Sequence, residues 1–112
     1  MSNYMLLFYT PEAPEERADR GGEMPAWEAL LTSLQQEGVL VGHGRLHGAD
    51  AATTVRIRNG ETEISDGPFA MTKELLVGYF ALECRDLDHA LKVAERVPLA
   101  SYGSVEVRPI AA

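Results

Sequence analysis

The elements predicted along this chain of 112 residues run strand, helix, strand, β-hairpin, strand, helix, strand. Two strand-helix-strand halves with antiparallel elements between them predict an α+β fold, a ferredoxin-like sandwich with an extra β-hairpin. Three observations carry this prediction: two amphipathic helices, apolar strands on either side of each, and one strong hairpin signal. The length and the 46% hydrophobic content indicate a single domain, residues 1–112.

The first half begins with residues 4–9, which are apolar at odd and even positions alike. This pattern is typical of a central strand that is buried on both faces. Residues 10–22 are rich in proline, glycine and charge, and predict a surface loop with a short helical turn at 15–17. A helix over 25–37 follows, and Gly38 is its expected end.

The predicted helix has one apolar stripe, made by side chains that recur at spacings of three and four. Its members are Met24, Trp27, Leu30, Leu31 and Leu34. Because Trp27 lies on this stripe, we interpret it as a core aromatic rather than as a platform on which a ligand stacks.

A second strand is predicted over residues 39–46. Gly42 and Gly44 share one of its faces, and His43 and Arg45 share the other together with Val39 and Val41. Glycine inside a strand often marks a bulge or the close approach of another group. We therefore expect free space beside His43.

The β-hairpin is the clearest local signal in the chain. Residues 53–58 and 61–65 flank Asn59-Gly60, a dipeptide that favours a two-residue type I′ turn. Counting outward from the turn gives an apolar face of Val55, Ile57, Thr62 and Ile64, opposite a face of paired arginines and glutamates. Asp66 has the same parity as Ile64, so its carboxylate is expected on the apolar side.

The second half repeats the pattern of the first. A strand over 77–84 precedes a helix over 87–97, which Asp86 should cap and Pro98 should end. A last strand is predicted over 104–108. The helices would cover one face of the sheet, and the apolar residues on the other face indicate that a second subunit covers it.

The bulk composition excludes several classes of partner. A net charge of −7 argues against binding to nucleic acid and to anionic membranes. The sequence has no 18-residue apolar run for a membrane span and no basic region before an apolar core for a signal peptide. Cys84 is the only cysteine and cannot form an internal disulfide, which fits a reducing, cytoplasmic location.

Asp66-Gly67-Pro68-Phe69, followed by Thr72-Lys73-Glu74, resembles the signature of the DGPF proteins within the YCII-related family. Five further segments resemble that family, so the similarity spans residues 3–110: 4–7, 53–56, 78–80, 87–90 and 104–109. The resemblance implies a ferredoxin-like fold that dimerises into an α/β barrel. Two positions depart from it: the family usually has glutamate in place of Met71, and many relatives carry a small residue in place of His43, so the resemblance transfers no catalytic histidine to His43.

The resemblance implies no established reaction for the DGPF branch. Relatives in the wider YCII group look like small lyases or isomerases that use a histidine and an aspartate for proton transfer. Other DGPF proteins are associated with extracytoplasmic-function sigma factors.

Asp66 is the first candidate for chemistry. On a half-buried face, desolvation would raise the pKa of a carboxylic acid toward the range useful for acid–base catalysis. Alternatively, the carboxylate accepts hydrogen bonds from nearby backbone N–H groups and only stabilises a turn. Since Gly67 precedes a proline, its backbone is expected to be extended.

His43 is either the partner of Asp66, because histidine titrates near neutrality, or a half-exposed strand histidine with no catalytic role. Arg45 either holds the carboxylate of a substrate or forms a salt bridge with one of the 17 acidic residues. Lys73 and Glu74 either bind an acidic substrate and orient Asp66, or form a solvated pair.

The three histidines do not form a metal-binding motif. His43 and His47 are four residues apart, but on a strand and a loop that spacing does not bring them together. His89 lies in the second predicted helix and is expected at the surface. The sequence also has no glycine-rich phosphate loop, so neither a metal nor a cofactor is predicted.

Two functions follow from these features. In the first, the protein is a small dimeric enzyme in which Asp66 and His43 transfer a proton on a small organic acid. In the second, it is a non-catalytic regulatory module that acts with a sigma factor. The first requires a pocket that takes up the candidate side chains, and the second requires an exposed patch that remains after dimerisation.

Overall fold

The computed structural model describes residues 1–11, 23–70 and 72–111. Most of the predicted loop over 10–22, its helical turn at 15–17, and Met71 lie outside these ranges. The described strands are β1 (Ser2–Thr10), β2 (Leu40–Arg45), β3 (Thr53–Arg58), β4 (Glu61–Asp66), β5 (Leu75–Cys84) and β6 (Ser104–Pro109). The helices in the same ranges are α1 (Glu23–Gln36) and α2 (Leu87–Glu95), and short 3₁₀ helices occupy Ala49–Ala51 and Pro98–Ser101.

Four strands form one antiparallel sheet in the order β2-β5-β1-β6. This confirms the predicted α+β class, and the order is compatible with a ferredoxin-like fold. As predicted, β1 is a central strand, since it pairs with β5 on one side and with β6 on the other. β2 is therefore an edge strand, and its position decides where His43 and Arg45 lie.

The core lies between the helices and one face of this sheet. Leu6 of β1, Leu34 of α1 and Leu82 of β5 are all 0% exposed. α1 begins two residues before the predicted start at Pro25, because a proline is tolerated anywhere in the first turn, where backbone N–H groups have no partner in the helix. Asp86 caps α2 as predicted, and its Oδ1 accepts a 2.9 Å hydrogen bond from the His89 backbone N–H.

The hairpin has the predicted turn and register. Asn59 and Gly60 both have positive φ (53° and 77°), as a type I′ turn requires. However, β3 and β4 form a sheet of their own, and Ile57 and Ile64 on its apolar face are 66% and 69% exposed. Asp66 pairs with Thr53 and is exposed like every residue of β4. The expectation of a half-buried Asp66 is therefore wrong for the single chain.

A bulge in β2 changes the predicted distribution of its side chains. The register is irregular between Leu40 and Gly42, after which His43 lies opposite Phe80 and Arg45 opposite Gly78. Since directly opposed residues share a face, His43 and Arg45 lie on the face that the helices cover. Val41, predicted to share that face, is 69% exposed at the irregularity.

Of the two glycines expected to leave space beside His43, Gly42 has no atom within 4 Å of an added Cβ, whereas Gly44 leaves no such space. A Cβ atom added at Gly44 would lie 2.6 Å from Cε1 of Tyr79, so the tyrosine ring already occupies that position on the opposite face. The glycine is needed for close packing within the sheet.

Substitution of Leu34 tests the packing of α1. We expect Leu34→Ala to lower the free energy of unfolding by about 2–5 kcal/mol, because it leaves a cavity among fully buried neighbours. Leu91→Ala on α2 is the control, since Leu91 is 42% exposed and the change should cost much less. Chemical denaturation measures both, and equal losses in the two variants would contradict this description of the core.

Arg96, just after α2, connects the two helices through the C-terminal end of α1. Its Nη2 donates to Oγ of Ser33 (2.8 Å) and to Oε2 of Glu37 (3.1 Å). Ser33 also donates to Glu37 at 2.6 Å. The hydrogen bond from Arg96, and after it the one from Ser33, lower the pKa of Glu37 below its ordinary value of 4.5.

The lowered pKa of Glu37 predicts a dependence of stability on pH. A carboxylate whose pKa is lower in the folded state stabilises the protein above its unfolded pKa, and this contribution is lost as the pH falls through the folded pKa. We expect Glu37→Gln to lower the melting temperature at pH values above 4.5 and to make little difference in more acidic solution. The pair is exposed, so its worth should be at most about 1 kcal/mol. A difference in melting temperature that grows on acidification would contradict the assignment.

Candidate functional site

A cavity of about 230 Å³ lies between α1 and the β2 side of the sheet. The described residues around it come from α1 and three strands: Phe8, Glu23, Met24, Trp27, Leu31, His43, Gly44, Arg45, Val77, Gly78 and Phe80. Most of these side chains are apolar, and only Glu23, His43 and Arg45 carry groups that can be charged. An apolar pocket with a few convergent polar groups is the usual form of a small-molecule site.

Three aromatic rings form one wall of the cavity. Phe8 contacts Phe80 edge to face at a centroid distance of 4.9 Å, and Trp27 lies 5.4 Å from Phe8 and 5.9 Å from Phe80. Gly78 packs closely beside them, because a Cβ atom added there would lie 2.9 Å from the Gly44 carbonyl oxygen and 3.4 Å from Cδ2 of Phe8. Trp27 thus packs against the core, as predicted, and also lines the cavity.

Glu23 is a residue of the site that the sequence analysis missed. Its Oε1 accepts hydrogen bonds from Trp27 Nε1 at 2.6 Å and from the Tyr102 hydroxyl at 2.7 Å. The contact with Trp27 follows from the spacing of four residues on a helix. A predicted helix that began at residue 23 instead of 25 would have indicated this contact. The contact with Tyr102 spans 79 residues and has no local signal.

His43 and Arg45 line the cavity together, because residues two apart on a strand point to the same side. The His43 ring lies edge to face with Phe80 at a centroid distance of 6.4 Å. Within the described parts of the chain, neither the imidazole nor the Arg45 guanidinium has a hydrogen bond or ion pair with a side chain. The predicted salt bridge of Arg45 is therefore not found among those residues, and both groups are available to a ligand.

Asp66 is not among the described residues that line the cavity. The turn after it is stabilised through Gly67, whose N–H donates to the Ala52 carbonyl (2.7 Å) and whose carbonyl accepts from the Thr54 hydroxyl (2.8 Å). Gly67 has φ of 92°, so the expected extended backbone is wrong. Because glycine has no Cβ, it can adopt this positive φ and still form both bonds to the β3 end of the hairpin.

Neither of the two interpretations of the Asp66 carboxylate has support from the described residues of the single chain. The carboxylate is exposed, and it accepts no hydrogen bond from any residue in the described ranges. The bonds that stabilise the turn belong to Gly67 instead.

Lys73 and Glu74 also lie apart from the described lining of the cavity. Ser104 of β6 donates weak hydrogen bonds to both Glu74 carboxylate oxygens, at 3.4 and 3.5 Å. Lys73 is exposed and forms no ion pair with Glu74 within 4.0 Å. Of the five residues predicted for the site, the cavity therefore brings together His43 and Arg45.

The described residues contain no group of three histidine, cysteine, aspartate or glutamate side chains that could hold a metal ion. In the same part of the chain, no helix is long and apolar enough to cross a membrane.

The fold and the cavity define a small α+β domain with an apolar, ligand-sized pocket at one end of its first helix. The chain matches the YCII-related domain over residues 2–112 and belongs to that family. An uncharacterised protein of Rhizobium meliloti (strain 1021) is 44% identical over 87 residues, which are 72% of this chain and 70% of the relative.

Proposed function

We propose that this protein binds a small, largely apolar carboxylic acid in the cavity under α1 and transfers a proton on it. The observation that carries the proposal is the pairing of His43 and Arg45 in a pocket whose other walls are mainly aromatic and aliphatic. Neither side chain has a charged partner among the described residues, so a ligand can supply it.

Arg45 is the group that would bind the acid. A guanidinium presents planar donors that match the two oxygens of a carboxylate, and such charge-assisted hydrogen bonds are among the stronger polar contacts in proteins. Arg45 is exposed on the edge strand, so the strength of this contact comes from its paired hydrogen bonds rather than from burial. The cavity of about 230 Å³ restricts the ligand to a small metabolite.

His43 is the group that would move the proton. Histidine accepts and releases protons near neutral pH. His43 lies two residues before Arg45 on β2, and therefore close to the group that would hold the carboxylate of the ligand. It would take a proton from one carbon of the bound acid and return it either to another carbon, as in an isomerase, or to a group that leaves the neighbouring carbon, as in a lyase.

The role of Asp66 as the acid paired with His43 stays a prediction. Among the described residues, His43 lines the cavity and Asp66 does not. The carboxylate that lines the same space is that of Glu23. The participation of Lys73 and Glu74 likewise has no support from the described lining.

Regulation through a sigma factor also stays a prediction. That function would need an exposed binding surface rather than a pocket. The ligand-sized cavity favours the enzymatic function. We further propose that the protein acts in the cytoplasm, where a reducing environment suits the buried, unpaired Cys84.

Substitutions in β2 test the assignment of the pocket. A panel of apolar monocarboxylic acids should include ligands that raise the melting temperature, since binding to the folded state stabilises it. Arg45→Gln should weaken their binding by about tenfold or more, the loss of one charge-assisted contact. Arg58→Gln is the matched control, because Arg58 is exposed on the hairpin.

Kinetic measurements distinguish the binding role of Arg45 from the proton-transfer role of His43. On a substrate from that panel, His43→Gln should lower the rate of turnover by about 10²–10⁴ and leave binding nearly intact, as expected for a general acid–base group. His47→Gln should change neither quantity. Binding that is lost in the His47 variant and retained in the Arg45 variant would place the site outside this cavity.

We also propose that the protein is a homodimer joined through the sheet face opposite the helices. Leu6 and Phe8 point into the core, so Leu7 between them points to the other face. There it lies opposite Tyr79 of β5, with Met5 and Leu76 on the same face. Leu76 is 42% exposed, and an apolar sheet face of this kind is most simply covered by a second copy.

Sedimentation equilibrium tests this dimer. The native protein should sediment as a dimer, and Leu7→Glu should convert it to a monomer, since it would bury a charge in the interface. Leu91→Glu, an equivalent change on the exposed side of α2, should remain dimeric. A native protein that is monomeric at all accessible concentrations would refute the proposal.

A further inference from the structure

Glu23 gives the cavity a second charge, opposite in sign to that of Arg45. Both side chains line the same space, and no ion pair within 4.0 Å joins them in the described structure. Since an ion pair would neutralise both within the protein, its absence leaves a cation and an anion that face a common ligand.

The Glu23 carboxylate is held in place by the protein and keeps one oxygen available. Trp27 and Tyr102 both donate to Oε1, at 2.6 and 2.7 Å. No donor from the described residues reaches Oε2. A carboxylate oxygen has two lone pairs and accepts strongly from a charged donor, so Oε2 is suited to bind an N–H group of a ligand.

These two charges disfavour a ligand that is only an acid. Its carboxylate would be attracted by Arg45 and repelled by Glu23, and the half-buried Glu23 carboxylate would gain no donor from the ligand. A ligand that also carries an ammonium group pairs both. The aromatic wall of Phe8, Trp27 and Phe80 adds to this preference, because aromatic faces attract cations and the apolar remainder of a ligand alike.

Building on the proposed function, we propose that the ligand is a small apolar amino acid or a similar zwitterion. Its carboxylate binds Arg45, its ammonium group binds Oε2 of Glu23, and its apolar side chain packs against the aromatic wall. Tyr102 and Trp27 are positioning residues that hold the Glu23 carboxylate.

Three compounds that share a 3-methylbutyl chain test the proposal on the native protein. Leucine carries both charged groups, 4-methylpentanoate lacks the amine, and 3-methylbutylamine lacks the carboxylate. Isothermal titration calorimetry should show leucine binding about tenfold more tightly than either of the others, the contribution of one charge-assisted hydrogen bond. This comparison needs no substitution, so it does not depend on whether a variant folds.

Glu23→Gln then identifies the residue responsible. Glutamine keeps an oxygen that accepts from Trp27 and Tyr102 but removes the negative charge. The variant should bind leucine more weakly than the native protein does and bind 4-methylpentanoate more tightly, which reverses the preference. Glu28→Gln, at an exposed position of the same helix, should keep the native preference.

The outcomes separate this inference from the function on which it rests. If 4-methylpentanoate binds the native protein at least as tightly as leucine, and Glu23→Gln leaves the ratio unchanged, the zwitterion proposal is wrong and the binding of an acid stands. If neither compound binds the native protein, both proposals are rejected for ligands of this size. If the native protein prefers leucine, and Glu23→Gln reverses that preference whereas Glu28→Gln does not, both proposals are supported.

Discussion

The packing of α1 against the sheet is the constraint on which the rest of the structure depends. Along its apolar stripe, Leu34 and Leu30 are buried (0% and 6% exposed), Leu31 and Trp27 are half-buried, and Met24 is 48% exposed. The buried residues pack into the core, whereas Leu31, Trp27 and Met24 line the cavity. One amphipathic helix thus contributes to both the core and the site.

The edge strand supplies the chemistry of that space. A strict alternation along β2 would place His43 and Arg45 with Val41, but the bulge breaks the alternation and places them opposite Phe80 and Gly78. Bulges are common beside functional sites because they redirect side chains in this way. The side chains of His43 and Arg45 thus line the cavity from the edge strand, and the Glu23 side chain lines it from the start of α1. The aromatic rings lie between these two groups.

The parts of the fold that could be predicted from sequence are those set by neighbouring residues. The hairpin register is correct because the Asn59-Gly60 turn determines it locally, and the cap at Asp86 is correct for the same reason. The burial of Asp66 could not be predicted, since parity shows which residues share a face but not whether another element covers that face. The contact of Glu23 with Tyr102 joins residues 79 positions apart, one in each half of the chain, and follows only from the assembled fold.

The fluorescence of Trp27 provides the most direct test that the cavity is the functional site. Trp27 is the only tryptophan in the chain, and its ring lines the cavity, so its emission reports on this space. When an apolar acid that stabilises the protein is titrated in, the emission should change saturably, with the same dissociation constant as the thermal stabilisation. A ligand that stabilises the protein and leaves the Trp27 emission unchanged would show that binding takes place elsewhere and would contradict the account.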